Sequence, residues 1–201
     1  MAPRSPQRSL LLDAAKHLML TKGYFGTTVD EVCASAGVTK GSFYHHFESK
    51  EALALALIDH YFSEVEAVLT VGPFVNELDP SQCLALFLEH AVQMARLPEI
   101  QEGCILGCFT LELSQTAPTI RNALENRFTE LGEWLAALIG RVSETRPASA
   151  AGSTIPAEAL AREFIAVLEG GIILSKAHGR PEFLAESLET YARLLLGHLE
   201  S

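Results

Sequence analysis

The stretch from Thr28 to Lys50 constrains the fold more than any other part of the chain, because it carries two helix starts on either side of one sharp break. Thr28 can N-cap a first helix, and Glu31 three residues later completes a capping box. Gly37 tolerates the left-handed backbone of a tight turn and therefore ends this helix. Thr39 then caps a second helix. Two short helices joined in this way predict a helix-turn-helix unit.

The second of these helices is predicted to have one apolar and one polar face. Phe43 and Phe47 are one turn apart and are expected to point inward. The side chains turned outward then include a cation, a hydroxyl, a phenol and an imidazole, from Lys40, Ser42, Tyr44 and His45. A short helix of this kind suits the major groove of DNA.

The wider segment, over about residues 7–60, resembles the tetracycline-repressor (TetR) family of bacterial transcription regulators. The matching groups are Gly23-Tyr24, Thr27-Thr28-Val29, Ala36-Gly37-Val38-Thr39, Tyr44-His45-His46-Phe47 and Ser49-Lys50-Glu51. One departure is Cys33, where the family usually has alanine. The resemblance implies a ligand-responsive DNA-binding regulator, most often a repressor released from a palindromic operator by a small apolar or aromatic effector.

The residues predicted to contact DNA are Thr28, Thr39, Lys40, Gly41, Ser42, Tyr44, His45 and Lys50. The resemblance implies that Tyr44 touches a phosphate and that His45 reaches the bases. Lys50, at the start of the next helix, is predicted to clamp a phosphate together with the exposed backbone N–H groups there. Lys40 suits either guanine or a phosphate. Asp30 either accepts from cytosine or repels nonspecific DNA.

The net charge of −10 is unusual for a DNA-binding protein, but its distribution accounts for it. Residues 1–60 hold six basic and six acidic residues, and the other nine basic and nineteen acidic residues follow. The predicted DNA-binding part, residues 1–60, which we call the reading head, is therefore neutral. Because it has few cations to contact phosphates, two heads are predicted to bind each operator. Arg4 and Arg8 belong either to a basic arm along a groove or to a solvated tail.

Beyond the head, prolines and glycines mark the ends of further amphipathic helices, and no strand pattern is visible. The predicted fold class is all-α, with about nine helices. These include Gln7–Lys22, Ser49 to about Val71, Pro80 to about Leu97, Gly103 onward, Pro118 to about Val142, Pro156 to His178 and Pro181 to Leu199. The helix from Ser49 would be about 33 Å long, so it is predicted to link a DNA-binding domain (1–48) to a regulatory and dimerisation domain (49–201). Residues 143–156 are predicted to form a flexible loop.

Two features of the second domain are predicted with alternatives. The resemblance implies a homodimer through helices of about residues 156–178 and 181–199. An effector pocket is predicted from aromatic, polar and sulfur-containing side chains; the alternative is that these side chains only pack in the core. The polar ones are the better candidates, because a polar group among apolar helices requires a partner. They are Phe87, His90, Met94, Cys108, Phe109, Phe128, Trp134, Phe164 and Glu169.

Cys104 and Cys108, on one helix face, offer an alternative function as a thiol-based sensor. Such a sensor needs a cation near the thiolate, and no lysine, arginine or histidine lies within six residues of either cysteine. Packing is therefore the preferred interpretation. Another alternative is a helical protein-binding module. No catalytic motif, metal site or cofactor motif is predicted. No apolar run reaches the ~18 residues of a membrane span, and the chain is expected to be cytoplasmic.

Overall fold

The helices that the sequence predicts are present in the computed structural model, which describes residues 6–144 and 155–200. The all-α fold class is confirmed over these residues. The described chain has ten helices: α1 (Pro6–Lys22), α2 (Val29–Ala36), α3 (Lys40–His46), α4 (Lys50–Val71), α5 (Pro80–Met94), α6 (Pro98–Gln101), α7 (Ile105–Leu113), α8 (Pro118–Glu144), α9 (Ala157–His178) and α10 (Glu182–Glu200). The single turn α6 was not predicted. Arg4 and most of the predicted loop lie outside the described residues.

The helices fall into two compact units. The first contains the chain up to Glu66 together with Glu102–Arg127, and the second contains Ala67–Gln101 and the chain from Phe128 onward. Both α4 and α8 therefore contribute residues to each unit. The domain boundary at residues 48 and 49 stays a prediction, since these units reflect packing alone.

The first unit is built on leucine-rich faces of α1 and α4. Leu11 and Met19 of α1, Val32 of α2, Phe43 of α3 and Leu57 of α4 are all completely buried. Truncation of a buried phenylalanine to alanine typically costs about 3–5 kcal/mol. Phe43 therefore fixes α3 against the rest of the unit, and the polar face of α3 is left outside.

The second unit contains a hairpin of α9 and α10, which also packs on α5. Gly171 allows the two helices to approach closely, because a Cβ at this position would lie 3.2 Å from the Leu184 Cα. Tyr191 of α10 donates its hydroxyl to the Leu160 carbonyl of α9 at 2.6 Å, and Ser175 accepts from the Leu184 N–H at 3.0 Å. Burial raises the pKa of Tyr191. The hairpin is thus joined by polar contacts as well as apolar ones.

The described helices include none with the combination of length and apolar character that crossing a bilayer would require.

Candidate nucleic-acid interface

The turn between α2 and α3 has the cap geometry that the sequence predicts. Thr28 accepts from the Glu31 N–H at 3.2 Å, and the Glu31 carboxylate accepts from the Thr28 N–H at 2.9 Å. Gly37 adopts φ of 66° and ends α2, and Thr39 caps α3 by accepting from the Ser42 N–H at 3.2 Å. Both predicted N-caps are confirmed. Their hydroxyls are exposed at the starts of the two helices.

The carboxylate of Glu31 is further held by the Lys22 ammonium at 2.7 Å. This hydrogen bond and those from Thr28 lower the pKa of Glu31 to about 2. Glu31 therefore remains charged, and its contact with α1 stays intact, throughout the pH range in which DNA binding is usually measured.

The two faces of α3 are as predicted. Phe43 is completely buried and Phe47 nearly so, whereas Tyr44 is 55% exposed and His45 is exposed. The Tyr44 ring packs edge-on against Phe43, with ring centroids 5.2 Å apart. This contact orients the phenol while leaving its hydroxyl outside. Gly41 is also exposed.

Lys40 forms an ion pair with Asp30 of α2 in this structure. The Lys40 Nζ lies 2.7 Å from Asp30 Oδ1, and both side chains are exposed. The hydrogen bond and charge of Asp30 raise the pKa of Lys40. The cation predicted to bind guanine or phosphate is thus paired with an acid on the neighbouring helix.

Gln7 is a residue of this surface that the sequence reasoning missed. The Ser42 hydroxyl of α3 donates to the Gln7 side-chain oxygen at 3.0 Å. Gln7 is exposed at the start of α1, and its amide N–H groups are donors of the type that reads adenine or binds phosphate. Only the packing of α1 near α3 brings it here, so no local sequence signal could have identified it.

Lys50 lies in a different environment from the one predicted. Its ammonium donates to the carbonyls of Tyr24 and Thr27, both at 2.8 Å, and lies 4.2 Å from the centre of the Tyr24 ring. Burial lowers the pKa of this half-buried lysine. Two of its three N–H donors are therefore used inside the unit. The structure gives Lys50 a packing role, and its phosphate contact stays a prediction.

The predicted pocket residues do not form one group. Phe87, Trp134 and Phe164 meet in the second unit, where Phe87 lies 5.2 Å from Trp134 and 5.6 Å from Phe164 between ring centroids. Phe74, which was missed, joins them 5.4 Å from Phe87 and also contacts His90.

The other predicted pocket residues lie elsewhere. Met94, Phe128 and Glu169 are half-buried in the second unit, whereas Cys108 and Phe109 belong to the first. Phe109 is completely buried, with its ring 5.9 Å from Tyr24. The pocket remains a prediction, and the aromatic cluster around Phe87 is its most coherent part.

All four cysteines are thiols and none is in a disulfide. Cys33, Cys83 and Cys104 are buried, and Cys108 is half-buried. Cys104 also occupies the N-cap position of α7. Of the two cysteines considered for thiol sensing, Cys108 is thus the more accessible.

One group of side chains in the first unit has the residue types of a metal site. Single ligand atoms of Asp13, His60 and Glu64 lie within 4.8 Å of one another. However, the Lys16 ammonium lies 2.6 Å from the Glu64 carboxylate and already neutralises it. We assign the group to an ion-pair network that joins α1 to α4.

Comparison with known proteins matches both parts of the chain. Residues 11–57 match the family described as "Bacterial regulatory proteins, tetR family", and residues 80–191 match the description "Tetracyclin repressor-like, C-terminal domain". The chain is 27% identical to the HTH-type transcriptional repressor DhaR of Mycobacterium sp. (strain GP1), over 98% of this chain and 96% of DhaR. It is 30% identical to the transcriptional regulator AcuR of Cereibacter sphaeroides, over 92% of this chain and 83% of AcuR.

A solved structure gives the same result. The crystal structure of regulatory protein TetR from Rhodobacter sphaeroides is 30% identical and superposes with a TM-score of 0.79, covering 94% of this chain and 98% of that one.

Proposed function

The chain belongs to the tetR family of bacterial regulatory proteins, and from this premise we propose that it is a homodimeric repressor released from a palindromic operator by a small apolar or aromatic molecule. That it is a DNA-binding transcription regulator follows from the family and from its relatives. DhaR is named a repressor. The observation that carries the proposal is the orientation of α3. Phe43 and the C-cap residue Phe47 are buried, so Tyr44 and His45 face outward.

The proposed division of roles on α3 follows from the chemistry of the side chains. The Tyr44 and Thr39 hydroxyls are single donors suited to phosphates, which position the protein without reading sequence. The Thr28 hydroxyl donates to the Glu31 carboxylate at 2.9 Å and would exchange this partner for a phosphate on binding. His45 presents ring nitrogens that can face base edges in the major groove. Lys40, Gly41 and Ser42 at the start of α3 complete the proposed contact surface.

The α9–α10 hairpin is the proposed dimer interface. Ile173 and Leu174 of α9 and Leu194 of α10 are exposed within one protomer. An open groove of about 700 Å³ lies along the hairpin and is lined by both helices, including Leu174 and Leu194. Burial of such apolar surface against a second copy is favourable by about 25 cal/mol per Å². Members of this family act as dimers, which supports this assignment.

The effector is proposed to be recognised by the aromatic cluster of Phe87, Trp134 and Phe164, with His90 nearby as a polar group. Flat apolar rings suit a small apolar or aromatic ligand. The coupling free energy required between effector binding and DNA binding is modest, because a 100-fold loss of operator affinity corresponds to about 2.7 kcal/mol. As a regulator of bacterial genes, the protein is proposed to act in the cytoplasm.

The Asp30–Lys40 ion pair leads to a prediction about nonspecific binding. Asp30→Asn is expected to strengthen binding to random-sequence DNA by roughly 3- to 10-fold, because it removes a negative charge from the contact surface and frees the Lys40 ammonium for phosphate. The slope of log affinity against log salt concentration should become steeper by up to about one unit per head.

Fluorescence anisotropy with a random duplex over a range of salt concentrations measures both quantities. Glu125→Gln, which removes an exposed charge from α8 in the same unit instead, is the matched control. An unchanged salt slope in Asp30→Asn would mean that Lys40 does not reach a phosphate.

Thiol sensing remains the second candidate for regulation, because Cys108 is partly accessible. Alkylation of the wild-type protein with iodoacetamide tests it directly. DNA affinity that is unchanged after complete modification of Cys108 would dismiss this candidate.

A gel shift tests the proposed function itself. The probe is the DNA upstream of the protein's own coding sequence, and a shuffled duplex of equal length and composition is the control. Preferential retardation of the upstream DNA is expected. Equal weak retardation of both would favour the alternative of a protein-binding module.

A further inference from the structure

The turn between α1 and α2, residues Gly23–Thr27, is held by side chains from two other helices; we call it the clamped turn. Tyr24 and Phe25 donate their backbone N–H groups to the Glu112 carboxylate of α7, at 3.0 and 3.2 Å. The Lys50 ammonium of α4 donates to the carbonyls of Tyr24 and Thr27, both at 2.8 Å. An anion therefore accepts from two backbone N–H groups of this turn, and a cation donates to two of its carbonyls.

The sequence of the turn suits the carboxylate that binds it. A Cβ at Gly23 would lie 2.6 Å from Glu112 Oε1, and the φ of +77° at this position also favours glycine. The two oxygens of Glu112 each accept from a different N–H group. A carboxylate can do this because it is an acceptor at both oxygens, whereas a side-chain amide has only one acceptor oxygen.

A second contact joins α7 to the same turn. The ring of Phe109, one turn before Glu112 on α7, packs edge-on against Tyr24. Lys50, which binds the carbonyls of the clamped turn, also depends on Glu112. Burial lowers the pKa of Lys50, and the negative charge of Glu112 opposes that shift. Loss of Glu112 would thus remove the acceptor of two N–H groups and an anion that supports the Lys50 charge.

We propose that Glu112 is a positioning residue for DNA binding, because it joins α7 to the clamped turn. We call its two hydrogen bonds to the Tyr24 and Phe25 N–H groups the latch. The turn ends at Thr27, directly before Thr28, the N-cap of α2. A fixed turn therefore fixes the start of α2, and α2 sets the position of the recognition helix α3 through the Gly37 turn. Glu112 acts through these residues and makes no contact with DNA itself.

The latch also provides a route for regulation. Helix α7 carries Cys108 and Phe109, which were predicted from the sequence to contact an effector but belong to the first unit, unlike the aromatic cluster around Phe87. The route therefore concerns a ligand that acts on α7 itself, for example at the partly accessible Cys108. A ligand that shifts α7 would pull the carboxylate from the Tyr24 and Phe25 N–H groups and loosen the reading head. This regulatory part rests on the proposed function, whereas the positioning role of Glu112 rests on DNA binding alone.

The first test is Glu112→Ala, measured on an operator that the wild-type protein has selected from random DNA. Affinity is expected to fall about 10-fold on the operator and on its variants alike, with an unchanged salt slope because no phosphate contact is lost. Hydrogen exchange of the Tyr24 and Phe25 amides is expected to become at least about 10-fold faster. Glu125→Ala, which removes an exposed carboxylate from α8 in the same unit, should change neither quantity.

Two further variants separate the hydrogen bonds from the bulk of the side chain. Glu112→Gln keeps the size but places an NH₂ group against one of the two N–H donors, so a loss of affinity close to that of Glu112→Ala is expected. Gly23→Ala should weaken binding in the wild-type chain. In the Glu112→Ala background the steric part of this effect disappears, so the two losses should not add.

Operator binding by the wild-type protein is measured first, so that a failure of DNA binding is distinguished from a failure of the latch. Unchanged DNA affinity in Glu112→Ala would overturn the proposal. So would a loss of affinity that is matched by a fall in Tm and by faster exchange throughout the unit, because Glu112 would then only stabilise the fold.

Discussion

A Leu194→Glu substitution is expected to convert the protein from a dimer into monomers and to weaken operator binding by more than 100-fold. Leu194 lies on α10 and is 70% exposed in the protomer, so the change leaves the fold of each protomer intact. In the proposed dimer interface, where the α9–α10 hairpins of two copies pack together, the same position is buried against the second copy. A carboxylate there loses its hydration without a partner, which costs several kcal/mol.

The loss of DNA affinity follows from the loss of the dimer. A neutral head with few cations has a small phosphate contribution, so one head alone is expected to bind weakly. A 100-fold weakening corresponds to about 2.7 kcal/mol at 25 °C. Pairing of two heads on adjacent half-sites supplies at least this much.

Sedimentation velocity measures the oligomeric state, and fluorescence anisotropy measures operator affinity at the same protein concentrations. Leu78→Glu is the matched control, since Leu78 belongs to the same unit, is also exposed and lies outside the hairpin. It should remain dimeric and bind DNA as the wild type does. A Leu194→Glu variant that is still dimeric would place the interface elsewhere.

The second large effect is expected from His45→Ala. If His45 reads a base, its removal should lower affinity for the preferred operator by roughly 10- to 100-fold, since a good base contact contributes about 1–3 kcal/mol of discrimination. Operators changed at the contacted base pair should show little further loss. The variant therefore becomes weaker and less selective at one position of each half-site.

Tyr44→Phe provides the comparison from the neighbouring residue. It removes only the hydroxyl, while the ring keeps its edge-on contact with Phe43. Affinity should fall by about 3- to 10-fold on all operators equally, as expected for a lost phosphate contact. Binding measured across a library of single-base operator variants separates the two patterns. A uniform loss for His45→Ala would exclude base reading by this residue.

The parts of the fold that the sequence predicted are those controlled by local interactions. Thr28 and Thr39 cap their helices through contacts three residues away. Gly37 ends α2 because of its own backbone preference. The burial of Phe43 and Phe47 follows from their spacing. Such signals are complete within a few residues and do not require knowledge of the tertiary structure.

The contacts that could not be predicted join residues distant in sequence. Gln7 contacts Ser42, and Glu112 binds the turn at Tyr24 and Phe25, through packing that no local pattern specifies. The phosphate contact of Lys50 is predicted from its place at a helix start. That place gives no sign that its long side chain also reaches the carbonyls of the clamped turn.

Aromatic residues were also only partly predictable. An aromatic side chain such as Phe25, directly after the helix predicted at Gln7–Lys22, would be expected to pack onto that helix, yet Phe25 is 65% exposed. Its main-chain N–H bonds to Glu112, and this contact fixes the backbone while its side chain points outward. Helical spacing identified Phe87, Trp134 and Phe164 as apolar positions, but only the packing of their helices shows that they form one cluster.

The central claim is that two copies of this chain read a two-fold symmetric DNA site through α3. Selection of bound sequences from a random duplex pool tests it most directly, with the His45→Ala variant selected in parallel. The expected result is a palindromic consensus whose half-sites are about one helical turn apart, 10–10.5 bp, and a variant that loses preference at one position in each half. A wild-type pool without any enriched sequence, or an enriched site that is asymmetric and unaffected by His45→Ala, would contradict the claim.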